Sequence, residues 1–199
     1  MECFISESDD KILLVGEGNF SFSVDFVNYV KKYNRKFFSY NDNKCCIIST
    51  CFEPENKITT IASVNANILQ EKGIRVEFGV DARCLEQYAF LAAGVHRHPF
   101  SRVIFNFPHV GGKMRIERNR QLLRDFLVSA SQVVQRDGVV CVSLCAGQGG
   151  STVENGGKTE RRWDDSWKAL KPPGGGNAPN CGSTVSDGRC SAKLHQHRV

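Results

Sequence analysis

Gly16, Glu17, Gly18, Asn19 and Ser21 follow the apolar run Ile12–Val15 without a break, in Lys-Ile-Leu-Leu-Val-Gly-Glu-Gly-Asn-Phe-Ser-Phe-Ser, residues 11–23. Those residue types at that spacing suit the cradling of a nucleotide-type cofactor. Gly16 permits a tight turn, and Gly18, with no Cβ, lets the backbone come close to a ligand. Ser21 stands where it can cap a following helix, whose free N–H groups then face an anionic group. The apolar run, the Gly-x-Gly turn and the helical periodicity after it make a strand–turn–helix unit. A dinucleotide fingerprint wants a third Gly or Ala where Ser21 stands, and there is no Gly-Lys-Ser/Thr of a phosphate-gripping loop. A cofactor with a carboxylate in place of a pyrophosphate suits this loop, and S-adenosylmethionine is one. An ordinary βα unit closed by a Gly turn is the plainer alternative.

A second constellation stands at residues 104–113, Ile-Phe-Asn-Phe-Pro-His-Val-Gly-Gly-Lys. An Asn and a Pro at a strand end, flanked by aromatics, resembles the loop with which some nucleic-acid amine methyltransferases hold a target base. An aromatic such as Phe107 stacks on the base, and polar groups bond its edge. The alternative is a strand stopped by Pro108 and turned by Gly111-Gly112. His109 is a candidate base, the imidazole side chain being the type most often used for proton transfer near neutral pH, or a turn-capping side chain. Lys113, Arg115, Arg118, Arg120 and Arg124 then face a single acid, Glu117. They read as a phosphate-contacting patch, with Lys113 and Arg115 nearest the loop, or as a solvated helix face with pairs such as Glu117–Arg120.

The elements that must position these residues alternate regularly. Apolar spacing predicts helices over 22–33, 57–72 (ended by Gly73), 85–93 and 116–135. Strands are predicted over 12–15, 44–51, 74–80, 102–107 and 138–144. Five strands alternating with helices imply an α/β, doubly wound parallel sheet of order 3-2-1-4-5, with ligands at the strand C-terminal ends. Glu17, Glu53, Asp81, Asn106 and His109 all fall at such ends.

The chain has 199 residues and 41% apolar content, enough for one domain and a tail. Residues 1–150 carry 18 basic against 16 acidic side chains, so the basic run at 113–124 stands out locally. The nine Cys include no Cys-x-x-Cys, several fall in apolar strand-like runs, and no metal site is expected. Met1 to Asp10 is polar and acidic, unlike a signal peptide, and no apolar run reaches membrane-spanning length. The reading is a reduced, intracellular chain. From Gly147 the composition turns Gly-rich and polar, and 171–199, with almost no apolar pattern, reads as a disordered tail.

Four separated motifs now carry a resemblance. Leu-Leu-Val-Gly-Glu-Gly-Asn-Phe-Ser-Phe-Ser, Phe-Gly-Val-Asp-Ala, Phe-Asn-Phe-Pro-His-Val-Gly-Gly-Lys and Asn-Arg-Gln-Leu-Leu-Arg-Asp-Phe, in this order, resemble the rRNA uridine-N3-methyltransferase-like family. Val-Ser-Leu-Cys-Ala-Gly-Gln-Gly-Gly and Trp163-Asp-Asp-Ser-Trp167 agree, so the resemblance covers about residues 10–170. It implies a Rossmann-like, S-adenosylmethionine-dependent RNA methyltransferase domain whose final strands are missing here. It also implies that Gly16, Glu17, Gly18 and Asn19 line the methionine part of the cofactor. Glu53, where the family tends to have Asp, then sits near the ribose hydroxyls, and Asp81 faces the adenine. Asn106, Pro108 and His109 line the target-base pocket. The expected partner is RNA, rRNA above all, in the nucleolus or cytoplasm. Two other readings stand beside it: a catalytically silent module that binds RNA or protein, and a nicotinamide oxidoreductase. Ser21 and the lack of a Tyr-x-x-x-Lys motif count against the oxidoreductase.

Overall fold

The computed structural model describes residues 11–33, 47–92, 99–111, 116–145 and 191–197. Its centre is β1 (Ile12–Val15), and all four of its residues are buried. A strand that is apolar on every residue must be covered on both faces, which is the condition of a parallel sheet between helices. β1 pairs in parallel with β2 (Ile47–Thr50) on one side and with β4 (Phe100–Asn106) on the other. β3 (Arg75–Glu77) extends the sheet beyond β2, and β5 (Val134–Cys145) extends it beyond β4. The five strands stand in the expected order 3-2-1-4-5, a Rossmann-like sheet. A sixth strand, β6 (Ser191–His197), runs parallel along β5. It falls in the segment expected to be a disordered tail, and it gives β5 a neighbour where the final strands were expected to be missing. The remainder of 171–199 lies outside the described residues.

The two faces bury separate cores. Leu13, Val15, Phe105, Leu123, Phe126 and Ala130 form one, under α4 (Ile116–Ser131). Ile12, Leu14, Val27, Val30, Ala66 and Leu69 form the other, under α1 (Ser21–Tyr33) and α2 (Thr60–Glu71). Adjacent β1 residues therefore enter opposite cores, as the two-residue period of a strand requires.

Three boundaries move from their expected places. α2 starts at Thr60, where the Thr59 hydroxyl accepts from the Ala62 N–H, and Glu55–Lys57 forms a separate 3-10 turn. The helix expected over 85–93 divides into a 3-10 turn, Ala82–Gln87, and α3, Ala89–Ala92; Tyr88, in extended conformation, separates them, and the backbone of Cys84 breaks helical geometry inside the first. The long helix stops at Ser131, because Val134 pairs with Phe100 as the first residue of β5. Val133 and Val134 are buried, so their apolar character serves the strand junction although it continues the helical period.

Candidate cofactor and base site at the strand ends

Gly16 leaves β1 with φ +68°, in the left-handed region that a Cβ disfavours. A Cβ there would stand 2.3 Å from Phe105 Cε2. Phe105 is held from behind by Phe126 of α4, edge-on at a centroid distance of 4.9 Å. The inner side of the loop is therefore packed tight. Its outer side is open: a Cβ on Gly18 would meet nothing within 4 Å.

The loop caps α1 in a way the sequence reading misassigned. Phe20, at φ +61° and fully buried, gives its carbonyl to the Val24 N–H as the first helical bond. Asn19 Oδ1 accepts from the Ser21 N–H at 3.1 Å, and Glu17 Oε2 accepts from the Ser23 N–H at 3.3 Å. Asn19 and Glu17 are the caps; Ser21 is the first helical residue and is exposed. Two of the N–H groups expected to face an anion are thus already satisfied. The missed signal is an acid four residues ahead of the first helical residue, whose side chain reaches forward to an orphan N–H.

Glu17 is only 7% exposed, and burial pushes its carboxyl above the ordinary 4.5, against the lowering effect of the bonds with Ser23. The folded chain therefore holds a proton that the unfolded chain releases, and stability falls as pH rises from 4.5 through the raised value. Glu17→Gln keeps an oxygen for the Ser23 N–H and removes the charge. The variant is expected to melt above the wild type at pH 7, with the difference vanishing near pH 4, by calorimetric melts across that range.

Glu53 is exposed, and its carbonyl anchors the next turn by accepting from the Gly79 N–H. Beside it Phe52 is 60% exposed. Burial, with the charge of Glu53, pushes the Cys51 thiol up to about 11, which marks a packing residue and not a nucleophile. Asp81 is less free than the sequence implies. Arg83 grips both its carboxylate oxygens, Nε to Oδ1 at 2.9 Å and Nη2 to Oδ2 at 2.6 Å. That hydrogen bonding holds the Asp81 carboxyl below its ordinary value. An adenine amine would have to share an acceptor already in use.

The end of β4 holds the second constellation. Asn106 Oδ1 accepts from the Ser143 hydroxyl at 2.7 Å, and the Phe107 N–H donates to the Ser143 carbonyl at 2.8 Å. Phe107 sits at φ +52° with its side chain 43% exposed. A bulky residue in the left-handed region carries strain that the neighbouring bonds must hold. Pro108 follows, half-buried. His109 Nδ1 accepts from the Gly111 N–H at 2.9 Å, so the turn-capping alternative describes it, and in the neutral ring Nε2 carries the hydrogen. Asn119 of α4 reaches the same loop, its Oδ1 accepting from the Val110 N–H at 3.0 Å.

Lys113 and Arg115 lie outside the described residues. Arg118 and Arg124 are exposed on α4, and Arg120 is half-buried. The Glu117–Arg120 pair is not formed; the ion pairs among the described residues are Arg75–Glu77 and Arg83–Asp81. A groove of about 350 Å³ runs along α2, lined by Thr59, Ser63, Asn67, Gln70 and Phe78 among others. It includes none of Gly16, Gly18 or Asn106. Among the described residues, no helix is long and apolar enough to cross a membrane, and no three potential metal ligands cluster.

A parallel sheet of this order, with a Gly-x-Gly turn at the end of its central strand and acids at the neighbouring ends, defines a Rossmann-like domain. The chain belongs to the BMT5-like family, rRNA (uridine-N3-)-methyltransferase BTM5-like, whose model matches residues 13–171. It carries an rRNA methyltransferase-like domain. It is 34% identical over 162 residues to the ferredoxin-fold anticodon-binding domain-containing protein 1 homolog of Mus musculus and, at the same identity and length, to its Homo sapiens counterpart. The match covers 80% of this chain and 23% of each relative, so the chain spans about a quarter of their length. An uncharacterized Arabidopsis thaliana protein is 29% identical over 147 residues, covering 68% of this chain and 63% of that one. A protein described as a short-chain alcohol dehydrogenase from Burkholderia multivorans superposes with a TM-score of 0.48 at 17% identity, covering 81% and 72% of the two chains; a likeness at that level says nothing of function.

Proposed function

We propose that this domain binds S-adenosylmethionine at the β1–α1 loop and directs methyl transfer to uridine N3 in rRNA, in the nucleolus or cytoplasm. The observation that supports the reading most is the contrast between Gly16 and Gly18. The loop is wedged on its inner side by Phe105 and open on its outer side at Gly18, as close approach by a ligand demands. In this reading the backbone of Gly16, Gly18 and Asn19 holds the methionine end. Ser21, with its hydroxyl exposed, is a further contact, and Glu17 keeps the loop in shape. Glu53 takes the ribose hydroxyls, and Asp81 shares its acceptors with the adenine amine.

The cofactor supplies an electrophilic methyl group; the protein must place the acceptor in line and exclude water. Phe107 offers a stacking face, and Pro108 closes the pocket wall. Uridine N3 is a poor nucleophile until its proton passes to solvent water, because His109, with Nδ1 taken by the Gly111 N–H, has no lone pair free to accept it. The Nε2–H of His109 then donates to a ring carbonyl and steadies the charge on the deprotonated ring. Titration calorimetry of the full chain with S-adenosylmethionine and with a nicotinamide dinucleotide tests the reading. Saturable binding of the first alone is expected; binding of the second alone would overturn it.

The basic run completes the proposal as the phosphate contact. Reversal of Lys113 and Arg115 to Glu is expected to weaken RNA binding and to flatten its log–log salt dependence by about one unit per lost contact. Fluorescence titrations between low and physiological salt read the slope, and an unchanged slope would return the run to a solvated helix face.

A further inference from the structure

The amide of Asn106 has two ends, and the structure uses only one. Asn106 is the last residue of β4, and Ser143 stands opposite it in the β4–β5 register. The Ser143 hydroxyl donates to Oδ1 at 2.7 Å. Nδ2 donates to no group among the described residues. A planar amide whose oxygen is held on one side turns its two N–H donors to the other. Three residues on, His109 is fixed with the same sign: Nδ1 is taken by the Gly111 N–H, which leaves an Nε2–H donor. The polar side chains at the end of β4 therefore present donors, while the amide acceptor is occupied.

That polarity chooses among bases. An exocyclic amine presents hydrogens and has to be met by acceptors. The carbonyls that flank a ring nitrogen accept, and have to be met by donors. We propose that Ser143 is a positioning residue. By holding the Asn106 oxygen it turns the amide donors outward, so that the site admits a base through a ring carbonyl and disfavours one that offers an amine there. The inference rests on the RNA reading above and adds a residue that acts through Asn106. Cytosine, which has an amine where uracil has a carbonyl, would set N–H against N–H and leave both donors unpaired.

The test uses the full 199-residue chain and fluorescein-labelled octamers of uridylate and of cytidylate, titrated by anisotropy. The wild type is expected to prefer the uridylate octamer by about tenfold, the worth of one good base-edge contact. In Ser143→Ala the preference should shrink to near parity with the melting temperature unchanged, and Ser143→Thr, which keeps the hydroxyl, should restore it. Asn106→Asp, which offers only acceptors outward, should reverse the preference toward cytidylate, and it decides the matter alone if Ser143→Ala does not fold. A preference that survives both Ser143→Ala and Asn106→Asp overturns the proposal. Equal binding of the two octamers by the wild type also overturns it and leaves RNA binding standing. Binding of neither overturns the RNA reading and this inference with it.

Discussion

Gly16→Ala is expected to lower the melting temperature by between about 4 and 20 °C. Two costs add at this position. The left-handed backbone, φ +68°, costs an L-residue about 1–2 kcal/mol. A Cβ placed 2.3 Å from Phe105 Cε2 must also push the ring back into Phe126, and overpacking of that kind costs about 1–3 kcal/mol. The total of about 2–5 kcal/mol is a large part of a domain's whole stability, and each kcal/mol moves the midpoint by roughly 2–4 °C at this size. Gly18→Ala is the control. Nothing stands within 4 Å of its added methyl, so its melting temperature should match the wild type. Calorimetric melts of the pair decide the point: a Gly16→Ala midpoint within about 2 °C of the wild type would show that Phe105 is free to move and that the loop is not wedged.

Phe107→Gly is expected to divide stability from RNA affinity. Glycine accepts φ +52° without strain, so the folded state should gain up to ~1 kcal/mol. The ring it removes is 43% exposed at the end of β4 and contributes little to the core. If that ring is the platform on which a base stacks, its loss costs about 1–3 kcal/mol per stacked base, a fall in affinity of roughly fivefold to 150-fold. Phe107→Tyr keeps a stacking face and should bind as the wild type does. The measurement is anisotropy with the uridylate octamer beside a thermal melt. A glycine variant that binds as tightly as the wild type would remove Phe107 from the site.

The sheet was legible because its signals are local and redundant. Ile12–Val15 is apolar on consecutive residues, which only a strand covered on both faces tolerates. The order of strands then follows from right-handed crossovers. Boundaries were harder where apolar residues serve two elements. Val134 continues the helical spacing of Leu123, Leu127 and Ala130, yet its burial comes from pairing beside Phe100. The positions of Glu17, Glu53, Asp81 and Asn106 at strand ends were legible in the same way. What each side chain bonds to was not. Asp81 meets Arg83, two residues away and within reach of any extended turn, and the neighbour satisfies it before any ligand does. Ser143 meets Asn106 only because β5 pairs with β4, a contact of sequence separation 37. Ser21 looked like a cap because hydroxyls favour that place, whereas the buried carboxylate of Glu17 reached the N–H instead.

The central claim is that the open side of the β1–α1 loop is where S-adenosylmethionine binds. Ultraviolet cross-linking of the methyl-tritiated cofactor to the full chain, followed by peptide mapping, tests it most directly. Label is expected on the peptide that contains Gly16 to Ser21, suppressed by excess unlabelled cofactor and lost in Gly18→Val while the melting temperature holds. Label confined to the groove along α2, on peptides containing Thr59 to Gln70, or label on Gly16 to Ser21 that Gly18→Val leaves undiminished, would contradict it.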